Sequence, residues 1–229
     1  MTALENFEAG VAEVALLLDV AEVDPPEGTP KDDRANAVHR ACVVLLVSHF
    51  ESFLKTLAEE FTDVVGGGHL ESRQIPRGVR ELHTLPRLKE VLECGDDTQR
   101  GVLLKKLQPL MVLWNDSAKP PPGTLKASTL SRQVTNAYSE TIDDLFSLMG
   151  NGDNVCDGDL DVADENGDVT PINIRYGLTD VVKCRNDIAH GDATRRPTGA
   201  DVQRYVRFLA TMAQRLTRKA GALLGLVSP

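Results

Sequence analysis

The sequence predicts an all-α protein, and two observations carry that prediction. Hydrophobic residues make up 41% of the 229 residues but aromatics only 4%. The apolar content is mostly Ala, Leu and Val, and Leu and Ala favour helix over sheet. Apolar residues also recur at three- and four-residue steps through much of the chain, which is the period of one helix face. A chain of this length buries a sizeable core, and residues 1–229 read as a single helical domain.

Leu4, Phe7, Val11, Val14 and Leu18 form one stripe on a first helix, expected to end before Pro25 and Pro26. A second helix is expected over 32–65. Its middle is apolar nearly all round, the mark of a buried central rod, and the run GGGH at 66–69 stops it. Pro76, Pro86 and Pro109 interrupt the leucines of 75–114, so short broken helices are expected there. Residues 119–123, KPPPG, form a stiff turn or linker. A helix over roughly 128–149 precedes an acidic loop at 150–170. Two helices close the chain, at about 176–190 and 200–224. The last is opened by Thr198 with Asp201 three residues on, a variant of the capping box.

The net charge of −9 argues against a protein that coats nucleic acid with its whole surface, but the charge is unevenly spread. No Lys or Arg stands between Gln133 and Ile174, whereas Lys183 to Lys219 is strongly basic. That basic end suits a local polyanion site or an intramolecular counterpart to the acidic block. Cys42, Cys94, Cys156 and Cys184 are widely separated and form no C-x-x-C pair, so reduced thiols are expected, with no structural metal and no cofactor. The acidic DENGDV stretch fails as an EF-hand, because Val162 falls where the first Asp should stand when Gly167 is set on the invariant glycine. The start MTALENFEAG lacks a signal-peptide pattern, and the apolar run ACVVLLV is too short to span a bilayer. A cytoplasmic protein without membrane attachment is expected.

The chemistry concentrates in CRNDIAHG, residues 184–191. Leu178, Val181, Val182, Ile188 and Ala189 lie on one helical stripe, and Arg185 falls on it where a bundle would normally place Leu or Val. An arginine there must be paired or must line a cleft. On a continuous helix Arg185 and His190 would point about 140° apart. They converge only if the helix stops near Ala189, and Gly191 supplies the stop. Spacing alone is weak evidence, since Arg34 and His39 share it. Arg185 differs in sitting on the buried stripe, with Asn186 beside it and Gly191 at the helix end.

RNDIAHG resembles the R-x(4–6)-H signature of HEPN domains, with the polar residue that often follows the arginine. SHFESFLK, Ser48 to Lys55, resembles the first core helix of HEPN proteins, particularly the group associated with ribosomal L-PSP proteins. The resemblance covers the long helix and the last two, leaving 66–174 as inserted or divergent helices. It implies a HEPN-like helical bundle that dimerises with its motifs facing, and a metal-independent endoribonuclease in a toxin–antitoxin or antiphage system, with a possible antitoxin or defence-system partner protein. It equally admits an inactive HEPN module that binds RNA or protein. HEPN toxins silenced by a nucleotidyltransferase carry tyrosine two residues after the histidine. Asp192 stands there, which speaks against that regulation.

RNA cleavage needs proton transfer at the ribose 2′-hydroxyl and the leaving oxygen, and positive charge for the phosphorane. His190 suits proton transfer near neutral pH. Arg185 suits bidentate phosphate contact, and Asn186 suits orienting the phosphate or the imidazole. Glu51, on the stripe of Val44, Val47 and Leu54, is a candidate partner for Arg185, with Asp187 as a further supporting residue. Arg195, Arg196, Arg204 and Arg207 are candidate contacts to an RNA backbone. His49 reads as a satisfied core histidine.

Overall fold

The computed structural model describes residues 2–22 and 31–227, the side chain of Lys31 excepted. Pro25 and Pro26, expected to end the first helix, lie outside the described residues. Helices make up 70% of the structure, with eight α-helices and one two-stranded sheet among the described residues. The helices are α1 (Ala3–Glu22), α2 (Lys31–Val65), α3 (Arg77–Glu93), α4 (Asp97–Leu107), α5 (Ala127–Ser131), α6 (Ser139–Leu148), α7 (Ile174–Ala189) and α8 (Gly199–Val227). Short 3-10 segments occupy Ser72–Gln74 and Gln108–Trp114. α2 is long and apolar enough to cross a membrane by length and hydropathy, but half of that stretch is buried inside the protein.

The chain forms two compact units, to which α2, α6 and α8 each contribute. The first comprises residues 1–54, 135–142 and 156–217. Its core gathers Phe7, Phe50 and Phe53, whose ring centroids lie 5.6–5.7 Å apart, with Leu46, Val181 and Met212. α7 and α8 approach closely because position 177 has no side chain: a Cβ on Gly177 would stand 2.5 Å from the Phe208 ring. The second unit comprises residues 55–134, 143–155 and 218–229, with a core of Phe61, Leu70, Ile75, Leu113 and Phe146.

Two sequence expectations need correction. The helix expected over 128–149 is broken into α5 and α6, because the Asn136 side chain accepts the Tyr138 N–H at 2.9 Å and the Thr141 hydroxyl at 2.7 Å. Those bonds turn the chain and start α6 afresh. The acidic loop is in part a hairpin of β1 (Asp159–Ala163) and β2 (Val169–Asn173), antiparallel with Asp161 opposite Pro171. Leu160 and Val162 point inward while Asp159 and Asp161 face water, the period-two pattern of a half-buried strand. DENGD is its turn. Asp164 Oδ1 accepts the N–H groups of Asn166 and Asp168, and Gly167 takes φ +85°.

α8 opens with a reciprocal cap. Asp201 Oδ2 accepts the Thr198 N–H and hydroxyl at 2.9 and 2.8 Å, and the Thr198 hydroxyl oxygen accepts the Asp201 N–H at 3.1 Å. Burial alone would raise the Asp201 carboxyl, but the Thr198 bonds and the Arg204 guanidinium outweigh it and hold it below its ordinary 3.8. Asp201→Ala should cost about 1 kcal/mol at neutral pH. A depressed acid stabilises fully above its ordinary value, and the effect is lost as pH falls through the lowered one. Urea denaturation should therefore show the gap between wild type and variant closing below about pH 4.

Candidate functional site

The helix carrying the motif ends where its residues require. His190 is the last near-helical residue, and Gly191 follows at φ +86°, the left-handed region that glycine enters without a Cβ penalty. The Gly191 N–H donates to the Ile188 carbonyl at 3.0 Å, and the Asp192 N–H donates to the Asp187 carbonyl at 2.9 Å. These two bonds form a Schellman ending. Asp187 thus supports the site through its backbone. The His190 side chain is exposed, with no hydrogen-bond partner among the described residues.

Arg185 sits on the buried face of α7 with only 22% of its side chain exposed, and its Nη2 donates to Glu51 Oε1 of α2. Glu51 is buried to the same degree, at 21%. The Arg185 Nε–H is buried with no acceptor among the described residues. The guanidinium is therefore held at Nη2 alone, and Nη1 also remains without a protein acceptor among those residues. The Asn186 side-chain amide donates to the Tyr138 hydroxyl at 3.2 Å, while its carbonyl accepts the His190 N–H at 2.9 Å. Asn186 thus touches His190 through the backbone, and its side chain belongs to Tyr138.

Two residues at this site escaped the sequence reading. Tyr138 reaches it from a segment with no periodic link to the motif. Arg40 of α2 donates through Nη1 to the carbonyls of Asp192 and Arg195 at 2.6 and 2.7 Å, pinning the chain just after the motif. A signal for it existed: Arg40 lies eleven residues before Glu51, about three turns away on one face of the same helix.

The expected RNA-contacting arginines are all engaged. Arg195 and Arg204 share Asp180 at 3.5 and 3.1 Å, Arg196 pairs with Asp33, and Arg207 with Glu165. Arg204 also lies over the Tyr205 ring, 4.8 Å from its centroid. Burial pushes the Tyr205 phenol above its ordinary value, with Cys184 and Asp180 adding to the shift. Thr194 holds Asp192 below the usual carboxylate value through its hydroxyl and its N–H. His49 is half-buried and meets Glu13 at 3.1 Å. No group of three or more His, Cys, Asp or Glu side chains among the described residues is arranged to hold a metal ion.

Residues 12–221 match the family described as RiboL-PSP-HEPN. The chain belongs to this HEPN family. The matched range includes 66–174, the stretch that the motif resemblance left aside. No curated protein and no solved structure matches the chain. Membership supports an RNA-related or nuclease role in general, and HEPN domains commonly bind RNA and often dimerise.

The geometry separates residues that hold the site from one that only projects from it. His190→Ala should change stability by no more than about 1 kcal/mol, since an exposed side chain is removed. Glu51→Ala should cost about 1–3 kcal/mol by stranding the Arg185 charge, less than a fully buried pair would because both groups keep some solvent. Gly191→Ala should cost about 1 kcal/mol through its left-handed backbone. Urea unfolding followed by circular dichroism measures all three.

Proposed function

We propose that this protein is a metal-independent endoribonuclease of HEPN type, working as a cytoplasmic homodimer in a toxin or antiphage defence system. The observation that carries the proposal is the pairing of roles at one helix end. A guanidinium is held at Nη2 by Glu51, and a solvent-facing imidazole follows just beyond α7, in a chain of the HEPN family.

His190 exchanges the proton of the ribose 2′-hydroxyl or of the leaving 5′-oxygen. Arg185 offers its Nη1 edge to the phosphate, where the bond gains strength as charge builds in the phosphorane. Glu51 fixes the guanidinium plane, so little reorganisation accompanies the reaction. Asn186, braced by Tyr138, stands beside them. The products are a 2′,3′-cyclic phosphate and a 5′-hydroxyl. The arginines proposed to meet an RNA backbone already hold Asp180, Asp33 or Glu165, which offset part of the positive charge they offer it.

Each chain brings one motif histidine, whereas cleavage benefits from a proton acceptor and a donor on opposite sides of the phosphate. A two-fold axis beside His190 supplies both from identical chains and gathers two Arg185 side chains. A second reading, a non-catalytic HEPN module binding RNA or a partner protein, is favoured by the Arg185–Glu51 ion pair, which serves structure as readily as catalysis.

Purified protein should cleave single-stranded RNA in excess EDTA, with His190→Ala and Arg185→Ala each abolishing cleavage while His190→Ala stays folded. Activity lost in EDTA and restored by a divalent ion would overturn the mechanism. No cleavage with intact RNA binding would select the non-catalytic reading. Light scattering should give a dimer at cleaving concentrations, and excess His190→Ala chains, after exchange, should suppress wild-type activity. A fully active monomer would exclude the shared site.

A further inference from the structure

The second unit carries a surface that the motif chemistry does not use. α4 buries only Leu107 within the protein and turns Val102 and Leu104 half out to solvent. The C-terminal half of α3 is likewise turned outward. Leu85 is 51% and Leu92 75% exposed, with Leu88 between them on the same side of the helix. Met111 and Trp114 of the adjoining 3-10 segment are exposed as well. Surface hydrophobes of this kind need no explanation by themselves.

A cavity of about 540 Å³ lies on the other side of α3, lined by none of these exposed side chains, and its size is within the range of ligand pockets. Leu82, Pro86, Pro109 and Leu110 give it apolar walls. His83 stiffens it through a hydrogen bond to the Lys126 backbone, with Nδ1 2.8 Å from the Val79 carbonyl and Nε2 3.0 Å from the Lys126 nitrogen and 3.3 Å from its carbonyl oxygen. That bond fixes the backbone of the opposite wall.

The cavity's charge is one-sided. Arg87 is neutralised by Glu90 through two contacts of 3.0 and 2.9 Å. Lys106, Lys126 and Arg132 also line the cavity, and none has a carboxylate within ion-pair distance among the described residues. In a chain of net charge −9, three unpaired cations around one apolar pocket are a local reversal of sign.

We infer that this cavity docks an acidic amphipathic segment of another protein, with a large apolar side chain entering between Leu82 and Leu110 and flanking Asp or Glu side chains meeting Lys106, Lys126 and Arg132. Charge complementarity selects this occupant. A second copy docking symmetrically through the same face would set the three cations against themselves. A bilayer surface would satisfy the charges, but it has no protrusion to fill a concave pocket with apolar walls. The mode is that of an amphipathic segment in a groove, with apolar anchors giving affinity and rim charges setting partner choice. The inference stands apart from the nuclease reading, since every residue it uses lies in the second unit.

The test is selection of random displayed peptides on the full-length protein, followed by titration of the enriched peptides as synthetic probes. Enriched sequences should combine large apolar residues with Asp or Glu. Their affinity should fall at least about tenfold in Lys106→Glu/Arg132→Glu and in Leu110→Asp, and should weaken as salt rises. The double variant changes exposed side chains only, and unaltered circular dichroism and thermal midpoint confirm its fold. Neutral or basic winners, no enrichment, or affinities that ignore the charge reversal would overturn the inference. So would tight binding to phosphatidylserine vesicles that the same double variant abolishes, which would assign the face to a membrane.

Discussion

A guanidinium on the buried face of a helix has to be neutralised from the neighbouring element, and the first unit is organised around that requirement. Arg185 takes a core position on α7, and Glu51 answers it from α2. The pair sets the register of the two helices more sharply than leucines would, because a sliding apolar contact loses little whereas a displaced ion pair leaves two half-buried charges. Around it, Arg40 holds the carbonyls beyond the motif and Tyr138 holds Asn186. Each clamp is a polar side chain reaching from a different segment, so the rigidity of the site rests on contacts between elements.

The helices flanking the site were legible because α1, α7 and α8 each have a periodic apolar face, while the middle of α2 is apolar nearly all round. α1 follows the stripe from Leu4 to Leu18, α2 and α8 lie within a few residues of their expected limits, and α7 ends at the glycine that ends it in the sequence reading. The Thr198–Asp201 cap was visible because its two members stand three residues apart. Glu51 was visible for a related reason: a carboxylate on a core stripe implies a buried partner.

What was hidden depended on contacts distant in sequence or on patterns too short to stand out. Two five-residue strands offer only two inward side chains, Leu160 and Val162, for period-two alternation. Asn136 breaks what reads as one helix by bonds its own side chain makes, which composition does not reveal. Tyr138 meets Asn186 across 48 positions. The basic tail's other reading, as a counterpart to the acidic block, is met by Arg207 with Glu165, whereas the individual partners Asp180 and Asp33 had no signal in the sequence. Arg40 was recoverable from its spacing to Glu51, had polar residues on the long helix been treated as a stripe of their own.

The exposed imidazole beyond a glycine-closed helix end has an evolutionary consequence. The residue proposed for proton transfer contributes almost nothing to holding the fold, so on that proposal a single substitution at position 190 would silence the chemistry and leave an intact scaffold available to selection for other uses. Glu51 and Gly191 lack that freedom, since losing either weakens the fold itself. Descendants of such a chain would drift first at the histidine and last at the carboxylate beneath it, and a silent copy would still carry the acid that once steadied its arginine.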